Sequence, residues 1–173
     1  MKNGRKKLKC IFNYKTLKHK IMGLDSYLYK KTYVRQGDFY KPEVVTEVEV
    51  KTGGKISETI KPERIKYIVE EIAYWRKANH IHLWFVENVQ GGIDECQSSY
   101  VSREKIEELL DICKKVIADK SLAESLLPTS SGFFFGGTEY DEWYFNAVEY
   151  TIEVLETELL DEYADDFEYS ASW

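Results

Sequence analysis

The chain has 173 residues, of which 43% are hydrophobic, and its formal net charge is −6. This length and composition predict one soluble domain that buries enough surface to fold without disulfides or metals. No apolar run reaches the roughly 20 residues that cross a bilayer, and no internal period of about 20 to 50 residues marks a solenoid. Membrane-spanning, repeat, collagenous and low-complexity classes are therefore excluded.

Three cysteines, Cys10, Cys96 and Cys113, are far apart and show no Cys-x-x-Cys spacing. An odd number with this spacing is untypical of a secreted disulfide scaffold or of a zinc ribbon. Residues 1–21 contain no continuous apolar stretch, so they do not resemble a secretory signal. We therefore expect a cytoplasmic protein whose cysteines stay reduced.

Charge is distributed unevenly along the chain. Residues 1–21 hold eight basic and no acidic side chains, whereas residues 121–173 hold thirteen acidic side chains and neither lysine nor arginine. The basic segment is either a weak contact for nucleic acid or another anionic surface, or a disordered extension that precedes a start at Met22. We favour the extension, because blocks of like charge are typically disordered. The sign of the acidic segment excludes direct nucleic-acid binding there.

The first elements that the sequence predicts are strands. Leu24–Val34 is rich in tyrosine and free of glycine and proline, which favours a strand. Glu43–Lys51 alternates strictly between two faces, and Thr52–Lys55 contains the two glycines of a hairpin turn, so that Ile56–Ile60 returns as the partner strand. Arg64–Glu70 is compatible with a further strand or with the start of a helix.

Helical patterns follow. Glu71–Val89 shows helical periodicity and is followed by two glycines, which are typical helix stops. After a short extended piece, Ser102 is a good N-cap for a helix that runs through Ile117. Leu122–Leu127 is expected to form a shorter helical turn.

The last part of the chain combines a loop, a helix and a charged end. Thr129–Gly137 contains three consecutive phenylalanines between glycines and predicts a loop or tight hairpin. Thr138, followed by Asp141, resembles a capping box at the start of a helix that extends to about Asp161. Asp165–Trp173 is expected to fray.

Strands come first and helices later, which favours an α+β fold over a doubly wound α/β fold. We expect a small antiparallel sheet with a β-hairpin, packed against about three main helices. The expected organisation is a basic extension at 1–21, a single α+β domain at 22–161 and a frayed acidic tail at 162–173.

The expected helix Glu71–Val89 carries the first candidate site. On a helical wheel Asn79 and His82 fall in the middle of the apolar stripe, and Arg76 lies one turn away. Buried imidazole and carboxamide groups need hydrogen-bond partners. One interpretation is a ligand site in which Arg76 binds an anion, and the other is a structural pair that pins the helix to a neighbouring loop.

The phenylalanine-rich loop carries the second candidate site. In an extended segment Phe133 and Phe135 share a face, which is typical of buried core or of an aromatic wall that stacks on a planar ligand. We expect this loop, or the loop around Cys96, to oppose the polar residues of the expected helix across a pocket. The predicted ligand-binding residues are Arg76, Asn79, His82, Cys96, Thr129, Phe133 and Phe135.

Several runs of the sequence resemble one protein family. They are Met22-Gly-Leu-Asp, Ala73-Tyr-Trp-Arg-Lys-Ala-Asn79, Ile81-His82, Leu127-Pro-Thr129 and Gly132-Phe-Phe-Phe-Gly136. Over most of residues 22–160 the chain resembles a family of small proteins found widely in bacteriophages and bacterial genomes. That family has no established activity, so the resemblance implies a mobile-element setting and a start at Met22 without supplying a mechanism.

Three classes of function stay open. We favour a non-enzymatic accessory protein of phage type that binds a small, nucleotide-like ligand or a host protein. Cys96 with His82, oriented by Asp94 or Asn79, would instead make a hydrolase or transferase. The acidic terminal third would suit a basic protein partner or imitate nucleic-acid phosphates. His80 and His82 lie roughly 200° apart on a helix, so no metal site is expected. The sequence contains no Walker-type or Rossmann fingerprint, so no cofactor is expected.

Overall fold

The structure is a computed structural model and describes residues 23–37, 41, 45–161 and 166–173. Its strands are β1 (Asp25–Tyr33), β2 (Lys51–Thr52), β3 (Lys55–Ile56), β4 (Tyr67–Arg76), β5 (Ser99–Val101) and β6 (Asp166–Ser172). Its helices are α1 (Asn79–Asn88), α2 (Arg103–Ala118), α3 (Ala123–Leu126) and α4 (Glu142–Glu158), with 3₁₀ turns at Pro62–Arg64 and Lys120–Leu122. The main sheet is antiparallel in the order β4-β1-β6-β5, while β2 and β3 pair separately. The expected α+β class is confirmed, and the expected basic extension at 1–21 lies outside the described residues.

The core lies between one face of the main sheet and the helices. Leu28 of β1, Ala73 of β4 and Tyr169 of β6 are buried together with apolar residues of α1, α2 and α4. The Phe85 ring of α1 stacks on Tyr169, with centroids 3.9 Å apart. Because side chains alternate along a strand, the opposite face of β1 carries a different set, including Tyr27.

The C-terminal strand corrects the expectation of a frayed end at Asp165–Trp173. β6 pairs with β1 on one side and with β5 on the other, so it lies inside the sheet. Phe167, Tyr169 and Ala171 are buried, and the residues between them are only partly buried. This alternation has the period of a strand, which the concentration of acidic residues before it obscured. Residues 166–172, which were expected to belong to a frayed tail at 162–173, are therefore part of the domain.

The expected helix at Glu71–Val89 is wrong in its first half. β4 continues through Arg76 and pairs with β1 over its whole length, from Tyr67 opposite Tyr33 to Arg76 opposite Asp25. Residues 67–70 of the segment that was compatible with a strand or a helix belong to this strand. β4 is rich in β-branched and aromatic residues, and pairing with a neighbouring strand overrode the helical periodicity. The helical wheel that placed Arg76 one turn from Asn79 therefore does not apply.

The predicted hairpin turn is present, but its strands are short. Gly53 and Gly54 have φ angles of 60° and 80°, as a two-residue hairpin turn with two positive φ angles requires. Only β2 and β3, of two residues each, pair across it. The strand expected at Glu43–Lys51 does not form over residues 45–50, the part that the structure describes before β2.

The predicted N-cap is correct for α2 and is displaced for α4. Ser102 caps α2, because its side chain accepts a hydrogen bond from the Lys105 amide. For the last helix the N-cap is Asp141, whose carboxylate accepts from the Tyr144 amide at 3.1 Å. Thr138 lies outside the cap.

Among the residues described, no helix combines the length and the apolarity that a membrane crossing requires.

The position of β6 predicts a large effect from its central side chains. Replacing the buried Phe167 by alanine should lower the free energy of unfolding by about 3 to 4 kcal/mol, because it removes a large side chain from the core. The matched control is Leu160→Ala, at an apolar residue that is 82% exposed, and should change stability by less than about 0.5 kcal/mol. Chemical denaturation measures both, and equal effects would contradict the placement of β6.

Candidate functional site

A cavity of about 380 Å³ lies where β4 leads into α1 and where the phenylalanine loop leads into α4. Its volume is within the roughly 300 to 1,000 Å³ typical of small-molecule sites. Its wall contains charged, amide, imidazole and aromatic side chains, namely Arg76, Lys77, Asn79, His80, Thr129, Glu139, Asp141, Trp143 and Tyr144. Three of the predicted site residues, Arg76, Asn79 and Thr129, are therefore brought together.

The turn from β4 into α1 places neighbouring residues at one end of the cavity. β4 ends at Arg76, Lys77 has a φ of 58°, and α1 begins at Asn79. The Lys77 amide donates to the Leu24 carbonyl at 2.7 Å, which fixes the turn to the start of β1. A positive φ is uncommon outside glycine, so this backbone bond holds an unfavourable conformation in place.

Two glycines enclose the stem of Lys77. A Cβ atom at Gly136, whose φ is 91°, would lie 3.0 Å from Lys77 Cβ. A Cβ atom at Gly23 would lie 3.3 Å from Lys77 Cε. Glycine therefore lets the phenylalanine loop and the segment before β1 approach this side chain closely.

Asn79 is buried, and its carboxamide holds the phenylalanine loop. Its Nδ2 donates to the carbonyls of Phe135 and Gly137 at 3.2 and 2.7 Å, and its Oδ1 accepts from the Ser130 amide at 3.0 Å. Both donors of the amide group and its oxygen are thus engaged by the protein itself. Asn79 shapes the cavity through these backbone contacts.

Arg76 lies at the mouth of the cavity and is paired. Its Nη1 donates to Asp25 Oδ1 at 3.1 Å, and the Tyr74 hydroxyl donates to the same oxygen at 2.6 Å. The carboxylate of Asp25 is almost fully buried, whereas Arg76 is partly exposed. The guanidinium is consequently held in place at the end of β4.

His80 is the cavity residue that sequence reasoning missed. The residue is only 3% exposed, and its Nε2 is a buried atom with no hydrogen-bond partner among the described residues. Its ring lies 4.1 Å from the Tyr144 ring, and burial lowers the pKa of its imidazole to about 3. It is therefore neutral at neutral pH. Sequence reasoning weighed it only as a metal ligand beside His82, because a single apolar stripe was assumed, whereas α1 is buried around most of its circumference.

His82 lies outside the cavity wall and forms the structural pair that was the second interpretation. Its Nδ1 is 2.8 Å from the Tyr169 hydroxyl, and its Nε2 is 2.9 Å from Asp94 Oδ2. The carboxylate can only accept, so Nε2 donates to it, and Nδ1 shares the second hydrogen bond with the Tyr169 hydroxyl. His82 thereby connects α1 to β6 and to the loop before β5, and Asp94 orients it as the sequence considered.

The remaining predicted residues do not meet in one place. Cys96 is exposed in a loop with a φ of 55° and is not a partner of His82. Phe133 is 93% exposed, while Phe135 packs edge-on against His82. The Phe135 amide donates to the Gly132 carbonyl at 3.2 Å, so this segment is a turn, and the expected extended face shared by Phe133 and Phe135 does not form.

Lysines from other elements pair with part of the acidic terminal third. Glu158 Oε2 is 2.5 Å from Lys30 Nζ of β1, and Glu156 Oε1 is 2.6 Å from Lys114 Nζ of α2. Glu168 forms a further ion pair with Lys31 of β1. The charge of this segment is thus partly compensated by the fold, although within the segment itself it is not.

No family model, curated protein or solved structure matches the chain. The resemblance to small bacteriophage and bacterial proteins stays a prediction. Among the described residues, no group of three or more histidine, cysteine, aspartate or glutamate side chains is placed to hold a metal ion.

The contacts of Asn79 predict a specific loss of order in the phenylalanine loop. Asn79→Ala should lower the free energy of unfolding by about 2 kcal/mol, because two carbonyls and one amide lose their partner. Amide hydrogen exchange at residues 130–137 should become faster. The control Asn88→Ala, at an exposed asparagine of the same helix, should cost less than about 1 kcal/mol. Equal exchange rates in the loops of both variants would contradict the assigned role.

The burial of His80 predicts a stability that depends on pH. The pKa of this group is about 3 in the folded protein against 6.5 ordinarily, so the unfolded chain binds more protons between these values. Stability therefore falls as the pH drops through this window, by at most about 1.4 kcal/mol per pH unit from this group. His80→Phe should flatten that slope in urea denaturation between pH 7 and pH 4.5. An unchanged slope would show that His80 does not contribute.

Proposed function

We propose that the protein binds a small molecule reversibly in the cavity between the starts of α1 and α4. The observation that carries the proposal is His80, a buried polar side chain of the cavity wall whose Nε2 has no partner among the described residues. Leaving such a group unpaired costs roughly 1 to 3 kcal/mol, and a ligand that reaches Nε2 after a small movement of the wall would offset that cost.

Some polar groups of the cavity wall are bonded within the protein, and others are available to a ligand. Asn79 and Arg76 already bond to other parts of the protein, which makes the wall rigid before any ligand arrives. Lys77, His80 and the 83% exposed Trp143 remain for contact with a ligand. A rigid wall with a few convergent polar groups and an aromatic rim is typical of a small-molecule site.

The chemistry of the wall favours recognition over covalent catalysis. In the part of the chain that the structure describes, the wall contains neither serine nor cysteine. The hydroxyls of Thr129 and Tyr144 donate to the carbonyls of Thr138 and Leu127, and burial raises the pKa of Tyr144. These hydroxyls are therefore poor nucleophiles, and His82 with Cys96 lies elsewhere. A cytoplasmic accessory protein of phage type that sequesters a ligand fits this wall and the sequence resemblance.

Another depression offers less support for a site. It has a volume of about 450 Å³ and lies on the sheet face that points away from the helices. Lys31 and Glu168, which line it, form an ion pair with each other. The ion pairs of the acidic terminal third likewise weaken the alternative of a basic host protein as partner.

The proposal is tested by filling the cavity without changing its charge. Ala147 lines the cavity, so Ala147→Leu should displace the ligand, whereas Ala118→Leu at an exposed position of α2 should not. Native mass spectrometry of the purified protein should show a co-purifying small molecule, reduced at least about tenfold by Ala147→Leu only. A panel of nucleotides, amino acids and organic acids, read by Trp143 fluorescence and melting temperature, covers a ligand lost on purification. The absence of any bound or stabilising compound would overturn the proposal.

A further inference from the structure

Two side chains of opposite charge line the cavity and pair with none of the described residues. Lys77 belongs to the turn before α1, and Glu139 lies in the segment before α4. Neither side chain forms an ion pair with a described residue, although several other lysines and glutamates of the chain do. A ligand that carries one charge of each sign would contact both.

The wall beside Lys77 is electropositive for a second reason. The N-cap of α1, Ala78, provides no side-chain hydrogen bond, and the first turn of the helix contains no acidic residue. The first N–H groups of a helix lack intrahelical acceptors and carry a partial positive charge. Arg76 lies at the same end of the cavity, although Asp25 offsets much of its charge. This half of the cavity favours a carboxylate.

The wall at the start of α4 has the opposite sign. Asp141 accepts the Tyr144 amide as the N-cap, so its carboxylate is already engaged by the helix. Glu139 has no such bond and favours an ammonium group. Two carboxylates within one small cavity disfavour a dianionic phosphate, which Arg76 and Lys77 would have to hold against their repulsion.

The surface between the charged walls is mostly apolar. Ala78, Tyr144 and Ala147 line it, and Trp143 stands at its edge. His80, which is buried and whose Nε2 lacks a partner among the described residues, belongs to the same wall.

We infer that the ligand is a small zwitterion with an apolar body, in the class of a free amino acid with an apolar side chain. Its carboxylate lies beside Lys77 and the start of α1, its ammonium group beside Glu139, and its apolar part against Tyr144 and Ala147. The inference rests on the proposed binding function and names its ligand class.

Three probes of one shape and different charge test this class. They are L-phenylalanine, which has both charges, 3-phenylpropionate, which has only the carboxylate, and 2-phenylethylamine, which has only the ammonium group. Titration calorimetry on the full chain should give L-phenylalanine at least about a tenfold higher affinity than either singly charged probe, since each charge-assisted contact is worth about this factor or more.

Charge-neutralising variants assign each half of the probe to its wall. Lys77→Gln should weaken L-phenylalanine and 3-phenylpropionate about tenfold and leave 2-phenylethylamine within about twofold. Glu139→Gln should weaken L-phenylalanine and 2-phenylethylamine and leave 3-phenylpropionate unchanged. The controls are Lys55→Gln in the hairpin and Glu149→Gln on the exposed side of α4, which should change no affinity. Unchanged melting temperatures show that the variants are folded.

The outcomes separate this inference from the proposed function. If 3-phenylpropionate binds as tightly as L-phenylalanine and Glu139→Gln has no effect, the zwitterion class is wrong and the cavity is an anion site. If none of the probes binds while Ala147→Leu still removes a co-purifying compound, the ligand class is again wrong and the proposed function stands. If no compound binds at all, both fail.

Discussion

One buried imidazole joins three distant parts of the chain through its hydrogen bonds. His82 bonds to Tyr169 in β6 and to Asp94 in the loop before β5, and Asp94 also accepts from Trp173 Nε1 at 3.2 Å. These bonds join α1, the loop and the C-terminal strand, which come from distant parts of the chain. Because each partner is enclosed in the core or at its edge, losing one would leave a buried polar group unpaired. These side-chain bonds add to the backbone pairing that places β6 between β1 and β5, and they fix α1 on that part of the sheet.

Three polar side chains in the first four residues of α1 differ in their hydrogen bonding. Asn79 and His82 direct their polar atoms into loops and strands, and those atoms are used up by hydrogen bonds within the protein. His80, between them, is equally buried but leaves Nε2 without a partner among the described residues. Natural cores rarely retain such a group without a reason, so it is the more informative of the two histidines. The proposed function therefore rests on hydrogen-bond satisfaction as well as on polar residue type.

Local signals in the sequence predicted local structure well. Ser102 caps α2 and Gly53 and Gly54 form the hairpin turn, because each feature depends on a few neighbouring residues. β4 and β6 were missed because their state is decided by pairing with β1, which lies far away in the sequence. The candidate site shows the same division. Arg76, Asn79 and Thr129 meet as expected. His82, Cys96, Phe133 and Phe135 lie elsewhere, because the contacts of α1 and of the two loops are decided by tertiary packing that the sequence pattern does not contain.

Charge along the sequence also has to be interpreted through the fold. The acidic terminal third suggested a field that a basic partner would neutralise, yet Lys30 and Lys114 of other elements pair with Glu158 and Glu156. The backbone end of α4 receives further positive charge, because Arg103 donates to the carbonyls of Leu159 and Asp161. Intramolecular pairs of this kind weaken long-range steering of a partner, since opposite charges close together cancel at a distance. Lys77 and Glu139, which form no ion pair with a described residue, would act on the proposed ligand over a short distance, where charges are screened less than in long-range steering.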